Sequence, residues 1–342
     1  MPTASPRKPC RMRPGGAKAW LTRLCTALAL ALLALPAGAT QAQRFSFAIV
    51  GDAPYNRLEE IEFAGMLEEI NRADVAFVVH VGDIKSGSGP CSDALYLQRK
   101  RLFSASRHPF ILVPGDNEWT DCHRKAAGGY DPLERLARLR EIFFAGSESL
   151  GQDKLKLERQ SDDPANPYRE YRENVRWAFG GVLFIGLNVP GSNDNFGRTP
   201  RMDAEHERRG RADAAWLAQG FELARKRGYA AVFICIQADP LFDLSYLRRS
   251  NRVDGYAAFK QELLAQTLAF GKPVVLVHGD THRFRVDQPL VDPATLKRVR
   301  RFTRIESFGS PMVDWIRVNL DPADPKLFSV GTGKPPNPGP QY

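Results

Sequence analysis

No apolar run in this chain is long enough to cross a bilayer, no internal repeat of fixed period occurs, and cysteine is scarce. Each lack narrows what the protein can be. The apolar stretch Leu24–Leu35 falls well short of the ~20 residues a spanning helix needs. It is preceded by Arg7, Lys8, Arg11, Arg13, Lys18 and Arg23 without an acid, and followed by the small residues Ala37-Gly38-Ala39. That order reads as a secretory signal peptide over 1–39. Cys25 lies at the start of the run rather than after it, so a lipid anchor is not expected. Removing the six basic residues takes the formal net charge from +9 to +3. A polyanion-binding footprint is therefore absent, and neither a nucleic-acid partner nor, after cleavage, a membrane one is expected. The expected location is periplasmic or secreted.

Of the five cysteines, Cys10 and Cys25 leave with the signal and Cys235 sits in the apolar run Ala231–Ile236 as a buried thiol. Cys91 and Cys122 remain, in loops that follow two strand-like runs, and an oxidising compartment makes a disulfide between them the expected outcome. The remaining ~300 residues suit one layered α/β domain over 40–330, with 146–203 as an insertion and loop region and 331–342 as a loose Pro/Gly-rich tail.

What is present is a recurring sentence. Phe45–Val50, Phe77–Val81, Phe110–Pro114 and Val274–His278 are short apolar runs, each followed by Gly-Asp: Asp52, Asp83, Asp116 and Asp280. A fifth run, Ala231–Ile236, leads to Gln237 without the glycine. Every Gly-Asp pair in the chain stands at such a strand end. Runs this apolar suit strands buried on both faces, and carboxylates gathered at the carboxyl ends of such strands are how open α/β sheets build ligand sites. Helical spacing between the first three runs predicts a βαβαβ start with parallel strands. A hairpin at Tyr171–Phe179 and Val182–Asn188, a long helix over 204–226, a helix over 256–270 and short antiparallel strands after Phe284 complete two sheets packed face to face. The ordinary alternative for Asp52 and Asp83 is to cap the helices that follow them.

These residues resemble the calcineurin-like metallophosphoesterases, whose fold is a four-layer αββα sandwich of two mixed β-sheets. The order Gly51-Asp52-Ala53-Pro54, Gly82-Asp83, Gly115-Asp116-Asn117-Glu118, Gln237 and Gly279-Asp280-Thr281-His282 follows that family's motifs over roughly 45–320. The resemblance implies two metal ions. Asp52, Asp83 and His282 match the first site, with Asp83 as the bridging ligand, and Asp116, Gln237 and Asp280 match the second. It implies hydrolysis of small phosphorylated substrates by a hydroxide shared between the metals.

The departures are chemical. Pro54 stands where the family often has histidine, and Ser86 where a tyrosinate would give purple iron centres. Carboxylate and amide oxygens replace imidazoles at the second site, which favours Mn²⁺, Mg²⁺, Ca²⁺ or Fe over Zn²⁺ there. Asn117 occupies the place of the histidine that assists the leaving group, and His123 is a candidate replacement. Glu118, His80 and His278 are expected behind the ligands, while Asn188, Asn193 and Arg198 are candidates to reach a phosphate. The rival reading is a metal- and phosphate-binding protein of weak or no catalytic activity on the same fold.

Overall fold

The computed structural model describes residues 1–5, 43–242 and 253–333. The chain separates into two units, Met1–Ala39 and Thr40–Tyr342, and the fold described here is that of the second. Most of the signal-peptide reading and the tail beyond Gly333 lie outside the described residues.

The first sheet is built on β1 (Phe45–Val50), β2 (Val78–His80) and β3 (Phe110–Leu112), which run parallel; β13 (Ile316–Leu320) and β14 (Phe328–Thr332) add antiparallel on the β1 side. The second sheet has β4 (Glu158–Arg159), β5 (Val175–Phe179), β6 (Val182–Gly186), β7 (Val232–Cys235), β8 (Val274–His278), β12 (Phe302–Glu306) and β9 (Arg285–Asp287) in that spatial order. Strands β6, β7, β8 and β12 are parallel. Of the strands expected antiparallel after Phe284, β9, β13 and β14 are paired so, and the structure corrects only Phe302–Glu306, because β12 lies parallel to β8 although antiparallel to β9. Strands β10 (Val291–Asp292) and β11 (Lys297–Arg298) form an exposed hairpin.

Period-two alternation assigns each buried strand to two layers at once. Phe47 and Ile49 of β1, Phe184 of β6, Phe233 of β7 and Val275 and Val277 of β8 fill the space between the sheets. Ala48 and Val50 face outward onto α1 (Arg57–Arg72), α2 (Asp93–Ser104) and α3 (Pro132–Phe143). Leu183, Ile185, Val232, Ile234, Val274 and Leu276 face α4 (Pro200–Arg227) and α5 (Ala257–Phe270) on the other side. The result is the expected αββα sandwich. Aromatic rings lock its centre, with Phe47 stacked on Phe77 at 5.1 Å and edge-on to Phe184 at 5.3 Å, an arrangement ring quadrupoles favour.

The region 146–203 is more than an insertion, since β4–β6 supply one side of the second sheet. Residues 331 and 332, read as tail, end β14. Among the described residues, no helix is long and apolar enough to cross a membrane.

Candidate metal centre and adjoining cleft

The parallel strands of both sheets end at one rim, and the motif loops meet there. Capping, the ordinary work of an Asp after a strand, falls to other residues: Asn56 accepts from Glu59 N–H (3.0 Å) and Ser92 from Leu95 N–H (3.3 Å). Asp52 and Asp83 are free for the rim, and both are buried. Asp52, Asp83, Asp280 and His282 all adopt left-handed backbone angles, with φ of 48°, 57°, 80° and 62°. Non-glycine residues in that region cost on the order of 1–3 kcal/mol each and persist where surrounding structure over-determines them.

The two sheets are joined through these side chains. Both Asp52 oxygens accept from the Asp280 backbone N–H, at 3.0 and 3.1 Å, and His282 Nε2 lies 3.7 Å from Asp52 Oδ1. His282 Nδ1 faces Ser310 O at 2.7 Å; donating there leaves Nε2 as the acceptor nitrogen. Gly279 has no room for a side chain, because a Cβ there would run into the Asp52 carboxylate. A Cβ on Gly191 would lie 2.9 Å from both Asp116 Oδ1 and Asp280 Oδ1, which places those two carboxylates side by side beneath it. Gln237 is fully buried; its Oε1 accepts from Gly191 N–H at 2.5 Å, while its Nε2 has no hydrogen-bond partner.

Asn117 donates to Asp83 Oδ2 through its amide at 2.7 Å and to Oδ1 through its backbone N–H at 3.1 Å. Glu118 does not face the rim. Its carboxylate accepts from the backbone N–H groups of Gly115 (2.6 Å), Asp83 (3.2 Å) and Ile84 (3.3 Å), so it ties the second motif loop to the third. The Cys91–Cys122 disulfide forms, and its two sulfurs lie 3.6 and 3.7 Å from Asn117 O. His80 is held neutral beneath the site: Nε2 lies 3.0 Å from Ala53 O, Nδ1 accepts from Gly82 N–H at 3.1 Å, and burial lowers its pKa to about 4. Burial likewise lowers His278 to about 4; its Nδ1 lies 2.8 Å from Gly279 O and its Nε2 has no partner.

Burial and mutual repulsion push the carboxylates up. Asp52 is raised well above the usual range, by desolvation and then by the Asp280 charge. Asp83 is raised similarly, by desolvation and then by Asp116, and Asp280 rises to about 7 for the same two causes. Desolvation raises Glu118 to about 7. This oxygen-rich, like-charged set has the chemistry that hard divalent cations take. Among the described residues, no three His, Cys, Asp or Glu side chains converge on one point as a closed metal cage. The donor types fit a hard cation, although these side chains do not converge on one point.

Three neighbours had no signal in the motifs. The Tyr55 hydroxyl touches Asp83 Oδ2 (3.1 Å), the Asn117 amide (3.1 Å) and His282 Nε2 (3.3 Å). Its only sequence hint was a hydroxyl-bearing ring three residues after Asp52. Ser192 lies between Asp116 Oδ2 (2.7 Å) and Asp121 Oδ1 (2.9 Å). It belongs to a run, Ser192–Asn195, in which all four non-glycine residues are left-handed, a conformation that composition does not announce. Asp121 is buried beside Asp116; desolvation and the Asp116 charge raise its pKa to about 6.

The predicted substrate residues divide. Asn188 is spent away from the rim, donating to Glu173 Oε1 at 3.0 Å, and Asn193 holds its own loop through Val253 O (3.1 Å) and Gly255 N–H (2.9 Å). Arg198 does reach the site's edge. Its Nη1 donates to Thr120 O (2.6 Å) and lies 2.7 Å from His123 Nδ1. His123 is exposed on the wall of a cleft of about 660 Å³ that also includes Asp121, Arg124, Ser192, Phe196 and Arg198. None of His123's recorded hydrogen bonds goes to a rim carboxylate.

No protein-family model and no curated protein sequence matches the chain. Among solved structures, it is similar to PhoD, at 14% identity and a TM-score of 0.52, over 87% of this chain and 70% of that one. It also aligns with a dimetal phosphatase from Danio rerio, at 11% identity and a TM-score of 0.45, over 85% and 99% of the two chains. A purple acid phosphatase from yellow lupin aligns at 11% and 0.44, over 85% of this chain and 54% of its own. The fold argument rests on the first of these, and the calcineurin-like metallophosphoesterase resemblance read from the motifs holds at the level of fold.

Proposed function

We propose that this protein is an exported, metal-dependent phosphoesterase. The observation that carries the reading is the meeting of Asp52, Asp83 and Asp116 from one sheet with Asp280 and His282 from the other at a single rim of this fold. Asp52, Asp83 and His282 would hold one cation, and Asp83, Asp116, Asp280 and an oxygen of Gln237 a second, with Mn²⁺, Mg²⁺, Ca²⁺ or Fe suited to that oxygen set. When bound, such ions supply Lewis acidity and an acidified water for attack on phosphorus. The chain's own groups do the rest: Asn117 and Tyr55 orient Asp83, and Glu118 fixes two motif loops. The disulfide supports an oxidising, exported location.

The test strips the mature chain with chelator and titrates Mg²⁺, Mn²⁺, Ca²⁺ and Zn²⁺ against p-nitrophenyl and bis-p-nitrophenyl phosphate, with Asp83→Asn as control. Cation-dependent turnover that the control abolishes is the expected result. One observation favours a second reading: an amide, not an imidazole, stands on Asp83, so the position has no group that protonates a leaving alkoxide. Tight cation binding without turnover of either ester would establish that second reading, a cation- and phosphate-binding protein.

A further inference from the structure

The cleft beside the rim has a charge pattern that the rim does not explain. Its two guanidiniums, Arg124 and Arg198, have one carboxylate between them: Asp121 Oδ2 lies 2.6 Å from Arg124 Nη2, and Oδ1 lies 3.9 Å from Arg198 Nη1. Arg124 is half-exposed, and the Arg198 Nε is buried with no hydrogen-bond partner. Asp121 already receives Ser192, whose hydroxyl also reaches Asp116. Arg124 is the guanidinium that faces solvent, while the partly buried Arg198 spends Nη1 on Thr120 O and Nη2 on Asn195 Oδ1. Two cations thus share a single carboxylate, directly beside a rim of opposite sign. Phe196 adds a partly exposed aromatic ring to the wall. A cavity of about 660 Å³ is far larger than a phosphate and falls in the range of sites for organic ligands.

We propose that this cleft is a second anion subsite, which binds the organic half of the substrate: a leaving group built on a planar ring and carrying its own anionic group, phosphate or carboxylate. The ring lies on Phe196, the second anion pairs with Arg124 while Arg198 adds its charge to the wall, and the scissile phosphate points toward Asp116. Guanidinium forks hold such oxyanions through paired, charge-assisted hydrogen bonds. The inference rests on the phosphoesterase reading only for where the scissile phosphate sits.

The experiment has two arms. In the first, KM is compared for phenyl phosphate, 4-carboxyphenyl phosphate and adenosine 3′,5′-bisphosphate, using the cation-loaded protein and its Arg124→Gln, Arg198→Lys and Phe196→Leu variants. A KM at least about tenfold lower for the doubly anionic esters, a difference of ~1.4 kcal/mol, is expected, and the ratio should shrink toward one in Arg124→Gln. Arg124→Gln is chosen because its guanidinium is half-exposed, and circular dichroism with thermal melting reports whether each variant is folded. In the second arm, calorimetry measures adenosine 5′-monophosphate and adenosine binding to the chelator-treated protein. The expected result is binding of the phosphorylated form alone, weakened about tenfold or more in Arg124→Gln. Equal KM values for the three esters, or a preference untouched in both arginine variants, would overturn the subsite. Selective nucleotide binding with no turnover of any ester would retire the phosphoesterase reading and leave the subsite standing.

Discussion

Asn117 holds Asp83 by both oxygens, the side-chain amide on Oδ2 at 2.7 Å and the backbone N–H on Oδ1 at 3.1 Å. The grip orients the carboxylate expected to bridge two cations. On the phosphoesterase reading proposed above, Asn117 also stands where a histidinium would hand a proton to the departing oxygen. An amide donates a hydrogen bond but releases no proton at neutral pH. Turnover should therefore fall steeply as the leaving group becomes more basic. In Asn117→His that slope should flatten, with alkyl esters gaining about tenfold or more, at the low end of what a positioned general acid contributes. Equal rates on aryl and alkyl esters in the parent, with no gain in the variant, would count against this role.

Asp83 is buried and lies among charges of its own sign. Neutralising it removes repulsion while deleting a ligand. Asp83→Asn should raise the melting temperature of chelator-treated protein by a few degrees, on the order of 2–4 °C per kcal/mol recovered in a chain of this size. It should also abolish the further rise that Mn²⁺ or Mg²⁺ gives the parent. Differential scanning calorimetry with and without cation reads both effects. A variant less stable than the parent under chelation would contradict the electrostatic account.

The buried carboxyls at and behind the rim also set a pH dependence. Asp121 is raised to about 6, and Glu118 and Asp280 to about 7, above the usual value of about 4 in an unfolded chain. A carboxyl held protonated by the fold contributes stability below its unfolded pKa, and that contribution is lost as pH rises through the folded pKa. Chelator-treated protein should therefore melt at a higher temperature at pH 5 than at pH 8, with most of the fall between about 5 and 7.5. Added cation should reduce or reverse that fall, because it replaces the protons.

The Cys91–Cys122 bridge spans a sequence separation of 31 residues. Loop-closure entropy for that length corresponds to about 3–4 kcal/mol. The double Cys→Ser variant should unfold at lower urea by that amount. Because both sulfurs pack against Asn117 O, it should also lose hydrolysis rate under conditions where it is still fully folded. An unchanged urea midpoint would show that the loops are held by their other contacts.

The strand-end carboxylates were legible because each is a local signal, an apolar run followed by Gly-Asp, and the sandwich followed from their order. The disulfide was legible from which loops carried the two thiols. Strand direction was not. Phe302–Glu306 reads equally well in either sense, and only its pairing with Val274–His278 makes it parallel. Contacts across the chain were invisible as well. Ser192 reaches Asp116 over 76 residues, and Tyr55 reaches His282 over 227, so neither announces itself by spacing. Asn188 shows the converse: its position after a strand suggested the site, but a buried Glu173 claims its amide.

Asp52, Asp83 and Asp116 belong to one half of the sandwich, and Asp280 and His282 to the other. At the rim the seam is held by the Asp280 N–H on Asp52 and burdened by like charges facing across it, while farther in the aromatic stack of Phe47, Phe77 and Phe184 fastens the two halves. On the phosphoesterase reading proposed above, an ion seated at the rim would offset that repulsion, so ligation would stiffen the seam between the halves and not the rim alone. Breathing of the seam, read by amide exchange along Val274–His278, would then report occupancy as directly as catalysis does.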